Sequence, residues 1–300
     1  MTAVTMVTTA MAAATVTAKA RRTPALVLVA HGTRSPAGIA VTEALAGRVR
    51  ALRPDLGVRV GYLGLVAPSL DEVLAGLRGE AVLVPLLLGT GHHVRVDIPA
   101  AVASAGPRLR CRTAPALGPH PLLAEALADR LAEAGREARS PDPVVLAAAG
   151  SSDPAARADT ARMARLLALR MGVRVVPSCV SGDGPRPAAA VAALRDEGHE
   201  GVSVATYLTA PGHFSASVRE AVRGPGRESA QDSVRESVRD SVRESVGRGV
   251  SDVLVSRPLG PHDAVARLVV RRYQQACAGG CGHPGSSWTP VTSDGRIRTA

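Results

Sequence analysis

The sequence has few aromatic residues and almost no lysine. One Trp, one Phe and three Tyr occur in 300 residues, too few to build an aromatic platform on which nucleic-acid bases stack. Lys19 is the only lysine, so the formal net charge of +10 comes from arginine. A basic chain fits either a nucleic-acid partner or a polyanionic small substrate. Because no Lys/Arg-dense stretch is interleaved with aromatics, we expect no nucleic-acid partner and favour the small substrate.

Cysteines and long apolar runs are also scarce. The four cysteines include one close pair, Cys277 and Cys281, which is not a disulfide framework and indicates a reducing compartment. No apolar run reaches the roughly 18 residues that a membrane span requires. Residues 1–22 lack the basic and apolar regions of a secretory signal. We therefore expect a cytoplasmic protein with no membrane partner. Residues 1–22 are expected to be a disordered leader, or else the true start is Met6 or Met11.

Apolar residues make up 46% of the chain, and with so few aromatics the core must consist of Val, Leu and Ala. This composition suits buried parallel strands covered by Ala-rich helices. Short apolar runs alternate with segments of helical periodicity, which predicts right-handed βαβ units. The expected fold class is α/β, with two similar domains, each a four-stranded parallel sheet with helices on both faces.

Three segments of the first half recur in the second half. The pairs are ALVLVAHGTRSP at 25–36 with PVVLAAAGSSDP at 143–154, VPLLLGTGHHV at 84–94 with VATYLTAPGHF at 204–214, and LGPH at 117–120 and again at 259–262. The repetition predicts an N-terminal domain over 23–136 and a degenerate repeat over 143–276. Low-complexity residues 224–249 predict an insertion in the second copy. Residues 277–300 predict a disordered tail.

Histidines directly follow two predicted strands of the first copy. His31 follows the first strand, and His92 and His93 follow the third, with glycines beside both turns. Ligands bind at the carboxyl ends of parallel strands, so both turns bring imidazoles to one sheet edge. Neutral imidazole binds Fe²⁺, Co²⁺ and Ni²⁺. The sequence therefore predicts a metal site at His31 and His93, while the second copy has Ala149 and His213 at the aligned positions.

The other histidines and the cysteine pair have more ordinary interpretations. His120 and His262 both precede helices, and we expect both to cap them. Cys277, Cys281 and His283 form a C-x₃-C-x-H group. Its spacing is poor for zinc and it offers only three ligands, so a disordered tail is favoured over a second metal site.

Four segments resemble the sirohydrochlorin chelatases of the class II chelatase group. They are AHGTRSP after the first strand, APSL at 67–70, PLLLGTGHHVRVDIP at 85–99 and ALGPHPLL at 116–123. The resemblance covers about residues 25–275 and implies the long form of the family, in which a tetrapyrrole binds between two similar domains. It implies insertion of Co²⁺ or Fe²⁺ as a substrate into sirohydrochlorin, toward cobalamin or sirohaem, with no nucleotide required.

The resemblance also implies roles for individual residues. His31 and His93 become the metal ligands and proton acceptors. Arg34 and Arg95 are the arginines nearest to them in sequence and are expected to bind substrate carboxylates, since Arg suits bidentate capture. The family often has an acidic residue at the end of its second strand, where this chain has Gly64. Asp97, one turn after His93, could orient that imidazole.

Two alternatives stay open. HGTRSP is close to the signature of histidine acid phosphatases, but their chemistry needs an arginine just before the histidine, and this chain has Ala30. A metal carrier or tetrapyrrole-binding protein without activity fits the loss of the acidic residue and the presence of Ala149. A carrier would bind metal and leave sirohydrochlorin unmetallated, which separates it from an enzyme.

Overall fold

Strands and helices alternate along both halves of the chain. This computed structural model describes residues 23–64, 66–223 and 253–278. The first half contains β1 (Ala25–Ala30), α1 (Pro36–Leu52), β2 (Val58–Tyr62), α2 (Leu70–Ala75), β3 (Gly79–Pro85), a π-helical turn (His93–Asp97), α3 (Ile98–Ser104), β4 (Leu109–Thr113) and α4 (Pro121–Glu133). The second half contains β5 (Val144–Ala148), α5 (Pro154–Met171), β6 (Val175–Cys179), α6 (Pro187–Asp196), β7 (Ser203–Tyr207), α7 (His213–Arg223), β8 (Leu254–Val255) and α8 (Asp263–Ala278). Within these described ranges, none of the helices combines the length and apolarity needed to cross a bilayer.

Each half forms one parallel sheet. In the described part of the chain the strand orders are β2-β1-β3-β4 and β6-β5-β7-β8. All of the strand pairs within both sheets are parallel. The first strand of each sheet lies between the second and third, which is the switch point where ligands bind in open α/β sheets. The predicted fold class is confirmed.

Helices cover both faces of each sheet because alternate strand residues point to opposite layers. Leu26 and Leu28 of β1 pack with residues of α1 and α8. Val27 and Val29 point the other way and pack with residues of α2 and α3. The strands are apolar on both faces for this reason, as is typical of buried parallel sheets.

The last helix of each half packs on the sheet of the other half. α8 lies against β3 and α1, whereas α4 lies against β7 and α5. Tyr273 of α8 donates a hydrogen bond to the Pro24 carbonyl oxygen at 2.7 Å. Arg130 of α4 donates to the Leu259 carbonyl oxygen at 2.9 Å. One apolar core therefore joins the halves. The predicted boundaries 23–136 and 143–276 mark the two copies of the sequence repeat and do not separate two independently packed cores.

Helix α8 extends past the predicted boundary at 276. The Arg112 guanidinium donates to the carbonyl oxygens of Ala276 and Cys277 at 2.9 and 3.2 Å. These carbonyls lie at a helix end, where they lack helical partners, so Arg112 stabilises the final turn. The remainder of the predicted tail, the predicted leader over 1–22 and the predicted insertion over 224–249 lie outside the described residues, as do Cys281 and His283.

His120 and His262 cap helices, as expected. The Nδ1 atom of His120 accepts a hydrogen bond from the Leu122 amide at 3.1 Å. His262 accepts from the Ala264 amide in the same way, also at 3.1 Å. Each LGPH segment therefore ends in a histidine that satisfies an amide at the start of α4 or α8. Both copies of the LGPH segment thus serve in helix capping.

The cap at His120 predicts a pH-dependent contribution to stability. Burial, and then the charges of Arg272 and Arg271, lower the pKa of His120 below its ordinary value of 6.5. The folded state therefore holds the neutral ring, whose Nδ1 accepts a hydrogen bond. This contribution is present above the unfolded pKa and lost as the pH falls through the folded one. His120→Ala should cost about 1 kcal/mol of unfolding free energy at about pH 8 and less at about pH 5.

Urea unfolding at both pH values measures this difference. His120→Asn is the matched control, because an amide oxygen accepts at either pH and should preserve the cap. A cost of His120→Ala that is the same at both pH values would show that the ring contributes through packing alone.

Candidate active site

His31 and His93 lie side by side at the carboxyl edge of the first sheet. His31 directly follows Ala30, the last residue of β1, and His93 begins the π-helical turn after β3. Their ring centroids are 4.5 Å apart, with the ring planes inclined by 50°. The strands β1 and β3 are hydrogen-bonded neighbours, so the two turns that follow them meet. The structure thus brings together the two histidines predicted to bind metal.

The segment that carries His93 forms a π-helical turn ahead of α3. The Ile98 amide donates to the His93 carbonyl, five residues back, and α3 begins only at Ile98. Pro99 explains the wider turn, because proline lacks an amide hydrogen and its ring clashes with the carbonyl four residues earlier in an α-helix. Single π-helical turns are frequent at functional sites. This one presents His93 and Asp97 to each other.

Asp97 orients the imidazole of His93. Its Oδ2 lies 2.5 Å from Nδ1 of His93, and its other carboxylate oxygen lies 3.8 Å from Nε2 of His92. A carboxylate at Nδ1 holds the proton there, which leaves the Nε2 lone pair free for a metal ion. The geometry fits the orienting role expected for Asp97. His92 is the more exposed of the two neighbouring imidazoles, at 72% against 41%.

The local environment favours the neutral form of His31. Burial, followed by the neighbouring ring of His93, lowers the pKa of His31 below 6.5, and Asp97 acts in the opposite direction. Solvent still reaches the His31 ring, so the ring is accessible as well as neutral. A neutral, accessible imidazole can bind a divalent cation or accept a proton.

A cavity of about 820 Å³ opens beside the two imidazoles. Both halves of the chain supply its walls, and residues 86–89 face residues 148–151 and 207–215 across it. Most of the lining is apolar, as in sites that bind organic ligands of this size. His213 also lines the cavity, so the second half places its one aligned histidine in the same space.

The arginines expected to bind carboxylates do not line this cavity. Arg34 is exposed on the turn before α1. Arg95 forms an ion pair with Asp153 at the start of α5 and donates to the Thr90 carbonyl at 3.3 Å. Arg157 is instead the one arginine among the described residues of the lining. It pairs with Asp183 at 2.9 Å, and 40% of its side chain is exposed.

Tyr62 is a further cavity residue that sequence reasoning missed. Tyr62 ends β2, lines the cavity and is 2% exposed. Its hydroxyl has no hydrogen-bond partner among the described residues, which is costly for a buried polar group. The one available signal was a tyrosine at the end of an apolar strand, in a chain almost without aromatics.

Candidate metal ligands are few. Across residues 23–64, 66–223 and 253–278, no three His, Cys, Asp or Glu side chains converge on a position suited to a metal ion. Gly64 lies where the family often has an acidic residue, and a side chain there would have nothing within 4 Å. Two imidazoles leave most coordination positions open, which suits a cation that is handed on rather than stored.

Comparison with known proteins identifies the family. The sequence model of the CbiX family matches residues 25–134 and 143–276. The chain belongs to the CbiX family. The two matched segments correspond to the two sequence repeats, and the match confirms the resemblance to sirohydrochlorin chelatases.

Relatives of this CbiX-family chain include two curated chelatases. A sirohydrochlorin cobaltochelatase of Methanosarcina acetivorans is 31% identical over 78 residues, which is 25% of this chain and 60% of that protein. A sirohydrochlorin ferrochelatase of Priestia megaterium is 23% identical over 216 residues, which is 69% of this chain and 81% of that protein. The first curated relatives are therefore matched over about three-fifths of their length.

A solved structure supports the architecture. SirB from Bacillus subtilis with Fe³⁺ superposes with a TM-score of 0.68 and 23% identity, over 86% of this chain and 98% of that chain. At this identity the likeness establishes the fold.

Proposed function

We propose that this protein inserts a divalent metal ion, Co²⁺ or Fe²⁺, into sirohydrochlorin in the cytoplasm, toward cobalamin or sirohaem. The observation that carries the proposal is the pair of imidazoles, with centroids 4.5 Å apart, at the wall of a cavity of about 820 Å³. Relatives named cobaltochelatase and ferrochelatase support the substrate class. Ni²⁺ also fits imidazole ligands.

His31 and His93 would hold the incoming cation. Imidazole nitrogens bind such ions at about 2.1 Å, so one cation can bridge two rings whose centroids are 4.5 Å apart. The remaining positions would be filled by water and then by pyrrole nitrogens. Because these two residues are the only protein ligands in the proposal, the macrocycle competes for the cation with few bonds to break.

The same imidazoles would accept protons. Two pyrrole N–H protons must leave as the dication enters, so the exchange is balanced when one proton goes to each ring. An imidazole that has given up the cation has a free Nε2 lone pair, which can accept a pyrrole proton and pass it to water. Asp97, at 2.5 Å from Nδ1 of His93, stabilises the positive charge that forms on that ring.

Arg157 would bind a carboxylate of the macrocycle. Its partner Asp183 is 80% exposed, and exposed ion pairs are weak, so a substrate carboxylate can replace Asp183. Arg157→Ala should raise KM for sirohydrochlorin about tenfold, the equivalent of one charge-assisted contact, with little change in kcat. Steady-state kinetics at saturating metal measures both constants.

The control for this variant is Arg165→Ala, at an exposed position of the same helix, which should leave KM unchanged. Arg34→Ala and Arg95→Ala test the expectation drawn from sequence. If those two raise KM and Arg157→Ala does not, the carboxylates bind at the turns that carry the histidines.

An anaerobic spectroscopic assay tests the function itself. Sirohydrochlorin and each of Co²⁺, Fe²⁺ and Ni²⁺ are mixed with the protein, and the visible spectrum of the macrocycle is followed. We expect metallation at least about 100-fold faster than without protein for Co²⁺ or Fe²⁺. A protein that binds the metal but leaves metallation at the uncatalysed rate would be a carrier.

A further inference from the structure

The segment that leads to His93 has almost no side chains able to fix its position. Residues 86–91 read LLLGTG, and the main chain provides nearly all of their polar groups. Its start is held by the first half, where the Leu86 amide donates to the Val29 carbonyl and the Leu87 carbonyl accepts from the Leu117 amide, both at 2.8 Å. The polar groups of Leu88 and Thr90 must find other partners, because unpaired backbone groups are costly when buried.

The second half supplies those partners. The Tyr207 hydroxyl donates to the Leu88 carbonyl at 3.0 Å, and the Thr90 amide donates to Oδ2 of Asp159 at 3.1 Å. Tyr207 is 3% exposed and Asp159 is 4% exposed. Removing one partner of a hydrogen bond made by a buried side chain is costly. Two buried side chains of the second half therefore fix the backbone three and five residues before His93.

A third contact, the ion pair between Arg95 and Asp153, supports the same segment. Asp153 accepts from the Ala155 amide at the start of α5 at 2.9 Å, and its other carboxylate oxygen pairs with Arg95. Arg95 in turn donates to the Thr90 carbonyl at 3.3 Å. Thr90 is thus held through both its amide and its carbonyl by groups anchored on α5.

The two halves of the repeat differ in whether the side chains at these positions can form hydrogen bonds. In the alignment of the repeats, Tyr207 falls on Leu87 and Asp159 falls on Val41, whose side chains form no hydrogen bonds. The bracing groups occur in the half in which Ala149 replaces the first metal ligand.

We propose that Tyr207 and Asp159 are positioning residues, through which the second half holds the 88–90 backbone so that His93 faces His31. The second half would thus have exchanged a metal site for a role in organising the first one. This inference rests on the proposed function for its kinetic effect, whereas its structural effect stands apart from activity.

The variants Tyr207→Phe, Asp159→Ala and their combination test the inference, since Ala leaves no acceptor for the Thr90 amide. Asp159 also pairs with Arg162 of the same helix, so Arg162→Ala controls for the loss of that ion pair. Phe keeps the ring volume, so the fold is preserved while the hydroxyl is lost. Thr206→Val is the matched control: Thr206 is 1% exposed in the same strand, and its hydroxyl donates to the Ser256 carbonyl at 2.7 Å, away from the 88–90 segment. This control loses a buried hydrogen bond of the second half without touching the segment.

Three measurements are made on the full-length protein. Amide hydrogen exchange over 89–93 in the metal-free protein should be at least about tenfold faster in the double variant. The visible d–d absorption of bound Co²⁺, recorded without tetrapyrrole, should change in shape and intensity. The kcat of metal insertion should fall at least about tenfold. Thr206→Val should resemble the wild type in all three, even where its melting temperature is lowered.

The outcomes separate the two proposals. If exchange and the Co²⁺ spectrum of the double variant match those of Thr206→Val, the positioning role is refuted whatever the activity. If the wild type inserts no metal, the proposed function fails, and exchange and the Co²⁺ spectrum still decide whether the second half orders His93. A changed spectrum with faster exchange supports the inference in either case.

Discussion

Alanine at His31 or at His93 is expected to lower kcat for metal insertion at least about 100-fold, because each change removes a proposed metal ligand that is also the proposed proton acceptor. The remaining imidazole cannot hold the cation opposite the macrocycle by itself. The rings are 4.5 Å apart, and this proximity has no structural purpose in the core, since both rings reach solvent. The anaerobic spectroscopic assay with Co²⁺ measures the loss.

The effects of the two substitutions on kcat should not be additive. Residues that act as one unit in catalysis show strongly non-additive effects, so the double variant should be scarcely slower than either single variant. Equilibrium dialysis of Co²⁺ should show the same loss of binding in all three. His199→Ala removes a histidine that is outside the cavity lining and serves as the control. Near-normal turnover in either single variant would refute the assignment of the metal site.

The architecture and the meeting of the two histidines follow from local patterns. Apolar runs of strand length alternate with helical periodicity, and this pattern fixes parallel sheets with few competing topologies. Once β1 and β3 are neighbours, the residues after them must share one edge, so His31 and His93 converge. The convergence of His31 and His93 depends on strand order and not on side-chain packing, so the sequence pattern was enough to predict it.

The exchange of α4 and α8 between the halves could not be predicted in this way. Both helices follow an LGPH segment, both begin with a histidine cap, and both present an apolar stripe. Either sheet offers a face of Val, Leu and Ala to such a stripe. Periodicity states that a helix has a buried side, but it does not state which of two similar sheets covers that side.

Closeness in the sequence also did not predict where the charged side chains lie. Arg95 lies two residues from His93, yet the π-helical turn directs it to Asp153 rather than into the cavity. Asp159 did leave a signal, because it shares the buried stripe of α5 with Met163 and Leu167. A carboxylate in an apolar stripe requires partners, and here they are Arg162 of the same helix and the Thr90 amide of the other half.

The turn after β5 shows what the second half has kept. Gly32 and Gly150 occupy the same place in the two repeats, with φ of 93° and 95°, a region that residues with a Cβ rarely adopt. A Cβ at Gly150 would lie 1.8 Å from the Ser181 carbonyl oxygen. The Ala149 carbonyl accepts from the Ser181 amide at 2.9 Å and from its hydroxyl at 2.8 Å, so this loop cannot easily move away.

Gly150→Ala should therefore destabilise the protein by about 3 kcal/mol, from backbone strain and a clash with main-chain atoms. Gly172→Ala is the matched control, because Gly172 has φ of 70° and nothing within 4 Å of an added Cβ, and it should cost about 1 kcal/mol. Urea unfolding of both variants gives the difference. Ala149 next to this glycine has no metal-binding side chain, so a large cost at Gly150 would show that the fold itself requires the turn, independently of metal binding. Equal costs at the two glycines would show instead that the loop after β6 yields, and that the shared turn is not a structural requirement.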